Sequence, residues 1–372
     1  MAYKRSLVSL ILVPLFFALA AYYFLPPYDF DLYRHYDAYR YFIELKEFKY
    51  GVKDLYLPSL FYLGAIFDFN PEYLAFISNF LLYFTLMYLC HCMTRDVGLS
   101  DEVAFLFLFL FILTNSLVLY SGLRYSTGLS FSLLFAYFYF YKSNSVRAFF
   151  FLALAVLSHV SFLFLLLVFF VYKLFVIKVE SRLYFVGMIV FFIIFGFFFA
   201  EGFVNHGFIF IQELSGIYLG AETYTTGEWG ADRLVNSGLN STGILIENLK
   251  KYSIFFLVLY SNLAILKSKS KINNFEKFFI LFSSLTCLLI KYDVLYLRYA
   301  DYALMLSLLW LCQRRVVSLK LNSVHFLFVM FFCRVVFVRY IELKYYSDYF
   351  IDSYSIDNFA FGLGVFNAVL QN

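Results

Sequence analysis

The stretch AFFFLALAVLSHVSFLFLLLVFFVYKLFV, from Ala148 to Val176, decides how the chain is read. It is apolar almost throughout and nearly 30 residues long, whereas a spanning helix needs about 20, and Ser158-His159 stands in its middle. As one helix it would place Lys173, Lys178 and Arg182 outside and the acidic segment after Ala200 inside. That reverses the rule that Lys and Arg stay on the cytoplasmic side. A break near His159 returns both ends to the cytoplasm. Helices break at membrane depth only where they line a cavity or pack within protein. The charge pattern therefore predicts His159 at the bottom of a pocket that opens outward.

Apolar runs of comparable kind recur on both sides of this stretch, from Ser6 to Ile341. The 372-residue chain is 63% hydrophobic and 15% charged, against about 45–50% and 25% in soluble domains. A soluble enzyme is excluded. The expectation is an all-α, polytopic membrane bundle of about 10–12 spans, forming a single membrane domain over residues 1–372. Leu55 to Phe67 is too short to cross comfortably and reads as re-entrant. At the start, Lys4-Arg5, an apolar run and Ala18-Leu19-Ala20 imitate a signal peptide, but the run continues through Leu25 and predicts a retained span. With these assignments the cytoplasmic side holds 15 of the 29 basic residues and 5 of the 25 acidic ones, with the N-terminus inside.

Two outer segments are long: residues 26–54, with Asp29, Asp31, Arg34, His35, Asp37, Arg40 and Tyr41, and residues 201–252, with Glu213, Glu222, Glu228, Trp229, Asp232 and Arg233. Long loops are commonly functional or disordered, and the aromatic and Ile content of the second predicts a partly helical lid on the membrane surface, its expected limits being Glu201 and Tyr252. The five cysteines fall in or beside apolar helices and read as small buried groups rather than a disulfide framework. Cys90-His91-Cys92 lacks a partner pair at ligand spacing, so no metal and no cofactor is expected. No basic patch suggests nucleic acid.

Ionisable residues inside apolar segments are costly and point to function. They are Arg124 between Gly122 and Gly128, His159, the group Lys291, Asp293, Arg298 and Asp301, and Arg334 with Arg339. In the expected topology Arg124, His159, Arg298 and the Asp37 segment share the outer side. Arginine offers a planar, permanently charged fork that suits phosphate oxygens. Histidine titrates near neutrality and suits proton transfer from a hydroxyl. Each also has a structural reading: Arg124 snorkelling, His159 bonding a neighbouring helix, Arg298 pairing with Asp301, Asp37 as a solvated loop acid.

The ordered elements Asp37 to Tyr41, Leu123-Arg124 opening a small-residue helix, Leu157-Ser158-His159-Val160-Ser161, and Tyr296-Leu297-Arg298-Tyr299 resemble the EpsG-like branch of Wzy-type polysaccharide polymerases. Tyr125 stands where family members usually carry Gln. The resemblance implies a fold similar to C-type glycosyltransferases in the bacterial inner (plasma) membrane, with the site facing the periplasm. It implies joining of undecaprenyl-pyrophosphate-linked repeat units into O-antigen, capsular or exopolysaccharide chains, with a chain-length regulator as a possible partner. His159, Asp37 and Arg124 are the implied catalytic residues, with either His159 or Asp37 as base. Arg124, Arg298, Arg233, Tyr41 and Trp229 are the implied contacts to pyrophosphate and glycan. The rival readings are an O-antigen ligase, a membrane acyltransferase, and a flippase or other transporter of lipid-linked oligosaccharide. The last would explain charges in a cavity without bond formation.

Overall fold

The computed structural model describes residues 2–24, 31–49, 54–98, 122–215, 241–313 and 323–346, with five single positions between 104 and 114. Every element among them is helical, and the chain divides into two compact units, Met1–Phe162 with Phe332–Asn372 and Leu163–Phe331. Glu72–Val97, Gly243–Lys267 and Asp293–Gln313 are long and apolar enough to cross a membrane. A fourth span results if Arg182–Phe198 and Ala200–Gly207, bent by 85°, are taken together. Shorter apolar helices at Leu10–Tyr22, Tyr56–Phe67, Ser145–Ser158, Val160–Val176 and Val329–Val338 accompany these. The chain has the character of a helical membrane protein. Among the described residues three helices, or four with the bent pair, are long and apolar enough to cross, where the sequence predicts 10 to 12 spans over the whole chain. Several of the expected runs form helices below spanning length, and others lie outside the described residues.

The first unit is built on α1 (Ala2–Tyr22), α2 (Asp31–Leu45), α3 (Tyr56–Phe67), α4 (Glu72–Val97), α5 (Leu123–Ala136) and α6 (Ser145–Ser158). α1 packs along α4, and Ala18, Ala20 and Ala21 are fully buried, so small side chains let the helices approach closely. The Ala18-Leu19-Ala20 triplet is thus part of a helix contact. α5 lies between α4 and α6 and buries Ser126, Thr127, Ser130 and Ser132. Three of these hydroxyls bond back to carbonyls of their own helix: Ser126 to Leu123 at 3.1 Å, Ser130 to Ser126 at 2.9 Å and Ser132 to Leu129 at 2.7 Å. That satisfies them without water. Gly128 is a packing necessity, because a Cβ there would sit 2.6 Å from Cδ2 of Phe162 and 3.2 Å from the Ala155 carbonyl.

α3 is about 18 Å long at 1.5 Å per residue, short of a hydrocarbon core of about 30 Å, and ends at Asp68 in the left-handed region, φ 54°. The Tyr39 hydroxyl of α2 donates to the Phe69 carbonyl at 2.8 Å, and the Tyr39 ring fills the space beside Gly64 of α3.

The second unit contains α7 (Leu163–Val171), α8 (Arg182–Phe198), α9 (Ala200–Ser215), α10 (Ser241–Lys267), α11 (Asn274–Thr286) and α12 (Asp293–Gln313). α11 is the hub, packing on α7, α8, α10 and α12. Its start is closed by a capping box in which the Asn273 side chain accepts from Glu276 N and Glu276 accepts from Asn273 N, both at 2.9 Å. The other carboxylate oxygen of Glu276 accepts from the Trp310 indole at 2.9 Å, so this fully buried acid is satisfied.

α10 begins at Ser241, ahead of the expected span limit at Ser253, and α9 is helical to Ser215. Within the expected lid of residues 201–252, residues 216–240 lie outside the described residues. Lys250 and Lys251, which read as the edge of a loop, are neutralised inside the helix. Lys250 pairs with Glu247 at 2.8 Å and Lys251 with Asp293 at 2.7 Å.

Candidate functional site

The apolar stretch from Ala148 is interrupted at His159. α6 closes with the His159 N–H on the Ala155 carbonyl at 3.1 Å, His159 itself is extended at φ −157° and ψ 124°, and a single 3₁₀ turn, Val160–Phe162, follows. His159 as a whole is 9% exposed. Its Nδ1 accepts from the Ser161 backbone N–H at 3.1 Å, so in the neutral ring the proton resides on Nε2 and that nitrogen is a donor. The Tyr125 ring stands edge-on to His159, centroids 6.1 Å apart, and stacks on Phe162 at 5.6 Å. Tyr125, the residue after Arg124 in the chain, thus packs against the helix break.

Arg124 lies in the first turn of α5, where unpaired backbone N–H groups and the helix dipole favour an anion. Its Nη1 donates to Oδ2 of Asp54 at 2.9 Å; the Asp54 side chain is 5% exposed and that of Arg124 24%. Asp54 also accepts weakly from Leu57 N at 3.4 Å, at the start of α3. The next residue, Leu55, donates its backbone N–H to the Leu157 carbonyl at 3.1 Å, two residues before His159. Residues 54 and 55 therefore touch both the arginine helix and the end of the histidine helix.

α2 adds Asp31, Arg34 and His35, with Arg34 bonded to Asp31. Burial pushes the half-buried His35 imidazole down to about 4, the Arg124 guanidinium and Arg34 push the same way, and Asp31 pulls against them. Burial raises the Asp31 carboxyl, but His35, Arg34 and Arg124 outweigh it and hold it below its ordinary range. His35 is accordingly a neutral ring at neutral pH.

A stability prediction follows. The unfolded chain protonates His35 below about 6.5 and the folded one only below about 4, so between these values the unfolded state binds the extra proton. Stability then falls as pH drops through that window, by at most about 3.5 kcal/mol at roughly 1.4 kcal/mol per pH unit. The Asp31 contribution is lost only at lower pH, below its ordinary value of 3.8. Apparent melting temperatures between pH 4.5 and 7 should slope downward toward acid in the wild type and less so in His35→Gln. Equal slopes would discard this account.

Asp37 takes a different place. Two residues from His35, it projects about 160° away around the helix and accepts from Lys49 Nζ at 2.6 Å, both groups being well exposed. Lys49 also lies 6.0 Å over the Tyr41 ring. Asp37 and Tyr41 thus form a group with Lys49, while Arg124 pairs with Asp54 and the ring of the next residue, Tyr125, packs on His159. Arg298 lies part-buried on α12 in the second unit. In that unit the buried acid Asp293 belongs with Lys251, and Lys291 bonds Glu201 at 3.2 Å. Arg233 and Trp229 lie outside the described residues.

Asp54 is an addition that the sequence left unmarked, and His35, noted there only as one residue of the long outer segment, gains a place near Arg124. The available signal was an acid immediately ahead of a short apolar helix, and a histidine one turn after Asp31 on an amphipathic segment. No protein family, curated protein or solved structure with which the chain was compared matches it.

Proposed function

We propose that the protein is a Wzy-type polysaccharide polymerase, resembling C-type glycosyltransferases in its 10-to-12-span arrangement, of the bacterial inner membrane, working on the periplasmic side with its N-terminus in the cytoplasm. The observation that supports this reading best is Arg124. It is held on one edge by a buried carboxylate, at a helix N-terminus, and the next residue, Tyr125, packs on a histidine set in a helix break.

The remaining edge of the guanidinium suits the oxygens of a polyprenyl pyrophosphate, and its charge favours departure of the pyrophosphate as an anion. In the reaction the bond from the anomeric carbon of the growing glycan to its pyrophosphate oxygen breaks. A bond from that carbon to a hydroxyl oxygen of the incoming lipid-linked repeat unit forms. The hydroxyl proton passes to a base, and the polyprenyl pyrophosphate leaves as the anion.

In its present tautomer His159 offers Nε2–H, which suits contact with a phosphate or glycan oxygen. To act as base it must first exchange the Ser161 bond, whereas Asp37 must exchange Lys49 for the acceptor hydroxyl. Tyr41, Arg298, Arg233 and Trp229 are further contacts proposed from the resemblance.

The test is incubation of purified protein in nanodiscs with undecaprenyl-pyrophosphate-linked repeat units, followed by a glycolipid gel. A ladder is expected from the wild type, and a single band from Arg124→Ala and from Arg124→Ala with Asp54→Asn. A single band from folded wild-type protein would transfer the proposal to a ligase or a transporter.

A further inference from the structure

We propose that Asp54 is the positioning residue of this site: it fixes the Arg124 guanidinium by one N–H and, through the adjoining Leu55, keeps that guanidinium in register with the His159 helix end. The inference rests on the reading of Arg124 as the group that receives a pyrophosphate.

The contact between the two side chains uses Nη1 alone. A guanidinium carries five N–H donors in a rigid plane, so a carboxylate at one corner sets the direction of the whole fork while leaving Nε and Nη2 for a ligand. Asp54 is the more buried partner, 5% exposed against 24% for Arg124, which places the carboxylate behind the arginine and the arginine toward solvent.

The carboxylate is itself anchored. Asp54 accepts from Leu57 N at 3.4 Å, and α3 is tied to α4 by the Tyr56 hydroxyl on Ser78 at 2.8 Å. Ser78 in turn bonds the Leu74 carbonyl at 2.8 Å. On the other side Leu55 N–H meets the Leu157 carbonyl at 3.1 Å, within the last turn of α6. Two consecutive residues thus hold the arginine of one helix and the closing turn of another. A misplacement of about 1 Å is costly to a site that must meet a reacting group in one geometry.

The opposite assignment is that Asp54 competes with the ligand for Arg124 and must be displaced. The two differ in sign. A competitor, once removed, lets an anion bind more tightly, whereas a positioning group, once removed, lets the fork turn and weakens binding.

The experiment is calorimetric titration of inorganic pyrophosphate into the full-length protein in nanodiscs, with melting temperatures recorded for each variant. Wild-type protein should bind and Arg124→Gln should lose binding. Asp54→Asn should bind about tenfold more weakly, equivalent to about 1.4 kcal/mol, and Asp54→Glu, which returns a carboxylate, should recover most of the loss. Unchanged or tighter binding by Asp54→Asn, or no recovery by Asp54→Glu, overturns the positioning role.

If Asp54→Asn does not fold, the wild type still decides. Side-chain ¹⁵N relaxation of Arg124 should show a guanidinium hindered about its Cζ–Nε bond, and a freely turning group overturns the proposal. Failure of the wild type to bind pyrophosphate, or full binding by Arg124→Gln, instead overturns the functional reading on which the inference stands.

Discussion

Replacing Arg124 with alanine is expected to destabilise the protein by about 2–3 kcal/mol, and adding Asp54→Asn in the same chain is expected to return most of that loss. The expectation follows from the asymmetry of the pair. Asp54 is the buried partner, so removal of the arginine leaves a carboxylate with little water and no counter-charge. Breaking a fully buried ion pair from one side costs about 3–5 kcal/mol, and the partial exposure of Arg124 reduces the figure. Asparagine keeps the shape of Asp54 and removes the charge. Unfolding in denaturant of wild type, both single variants and the double variant gives the coupling energy directly. Purely additive effects would mean that the two side chains do not act as a pair in solution. The same cycle matters for function, since a loss of activity in Arg124→Ala alone mixes a missing phosphate contact with a weakened fold.

The second large effect is expected at the pair between α10 and α12. Lys251 and Asp293 lie 2.7 Å apart with side chains 9% and 7% exposed, and nothing in the pair is shared with the Arg124 cluster. Lys251→Met strands the acid and should cost about 3–5 kcal/mol. Lys251→Met with Asp293→Leu removes both charges into an apolar setting and should lie close to wild type, since replacing a buried pair by hydrophobic groups is often neutral or stabilising. Melting curves of the three variants read this out. A double variant as unstable as the single one would show that the charges themselves, rather than their balance, hold the helices together.

Both pairs mark where reading the sequence reached its limit. The helical nature of the chain was legible because apolar runs and the sign of flanking charges act locally along the chain. So was an interruption at His159, since a run of nearly 30 apolar residues ending in Lys173, Lys178 and Arg182 has no simple topology as one helix.

Pairing is different in kind. Arg124 finds its acid 70 residues away and Lys251 finds its own 42 away, and neither distance leaves a trace in local periodicity. Asp54 looked like the end of a loop, and Lys250-Lys251 like the edge of a span, because a charge beside apolar sequence has that meaning unless a partner is folded against it. Within α2 the same limit applied. Asp37 and His35 are two residues apart, and only the helical turn sends one toward Lys49 and the other toward Arg124.

The lysine inside α10 also bears on how the protein is made. The ribosome delivers Lys251 to the membrane 42 residues before Asp293, the group that neutralises it. A lysine at the centre of an inserting helix costs roughly 3 kcal/mol and one nearer its end less. Lys251 lies in the first half of Gly243–Lys267, so that segment is expected to insert less readily until Asp293–Gln313 arrives. Insertion of this part of the chain is thus expected to be a paired event, and a chain halted between the two helices should keep its lysine at the water boundary.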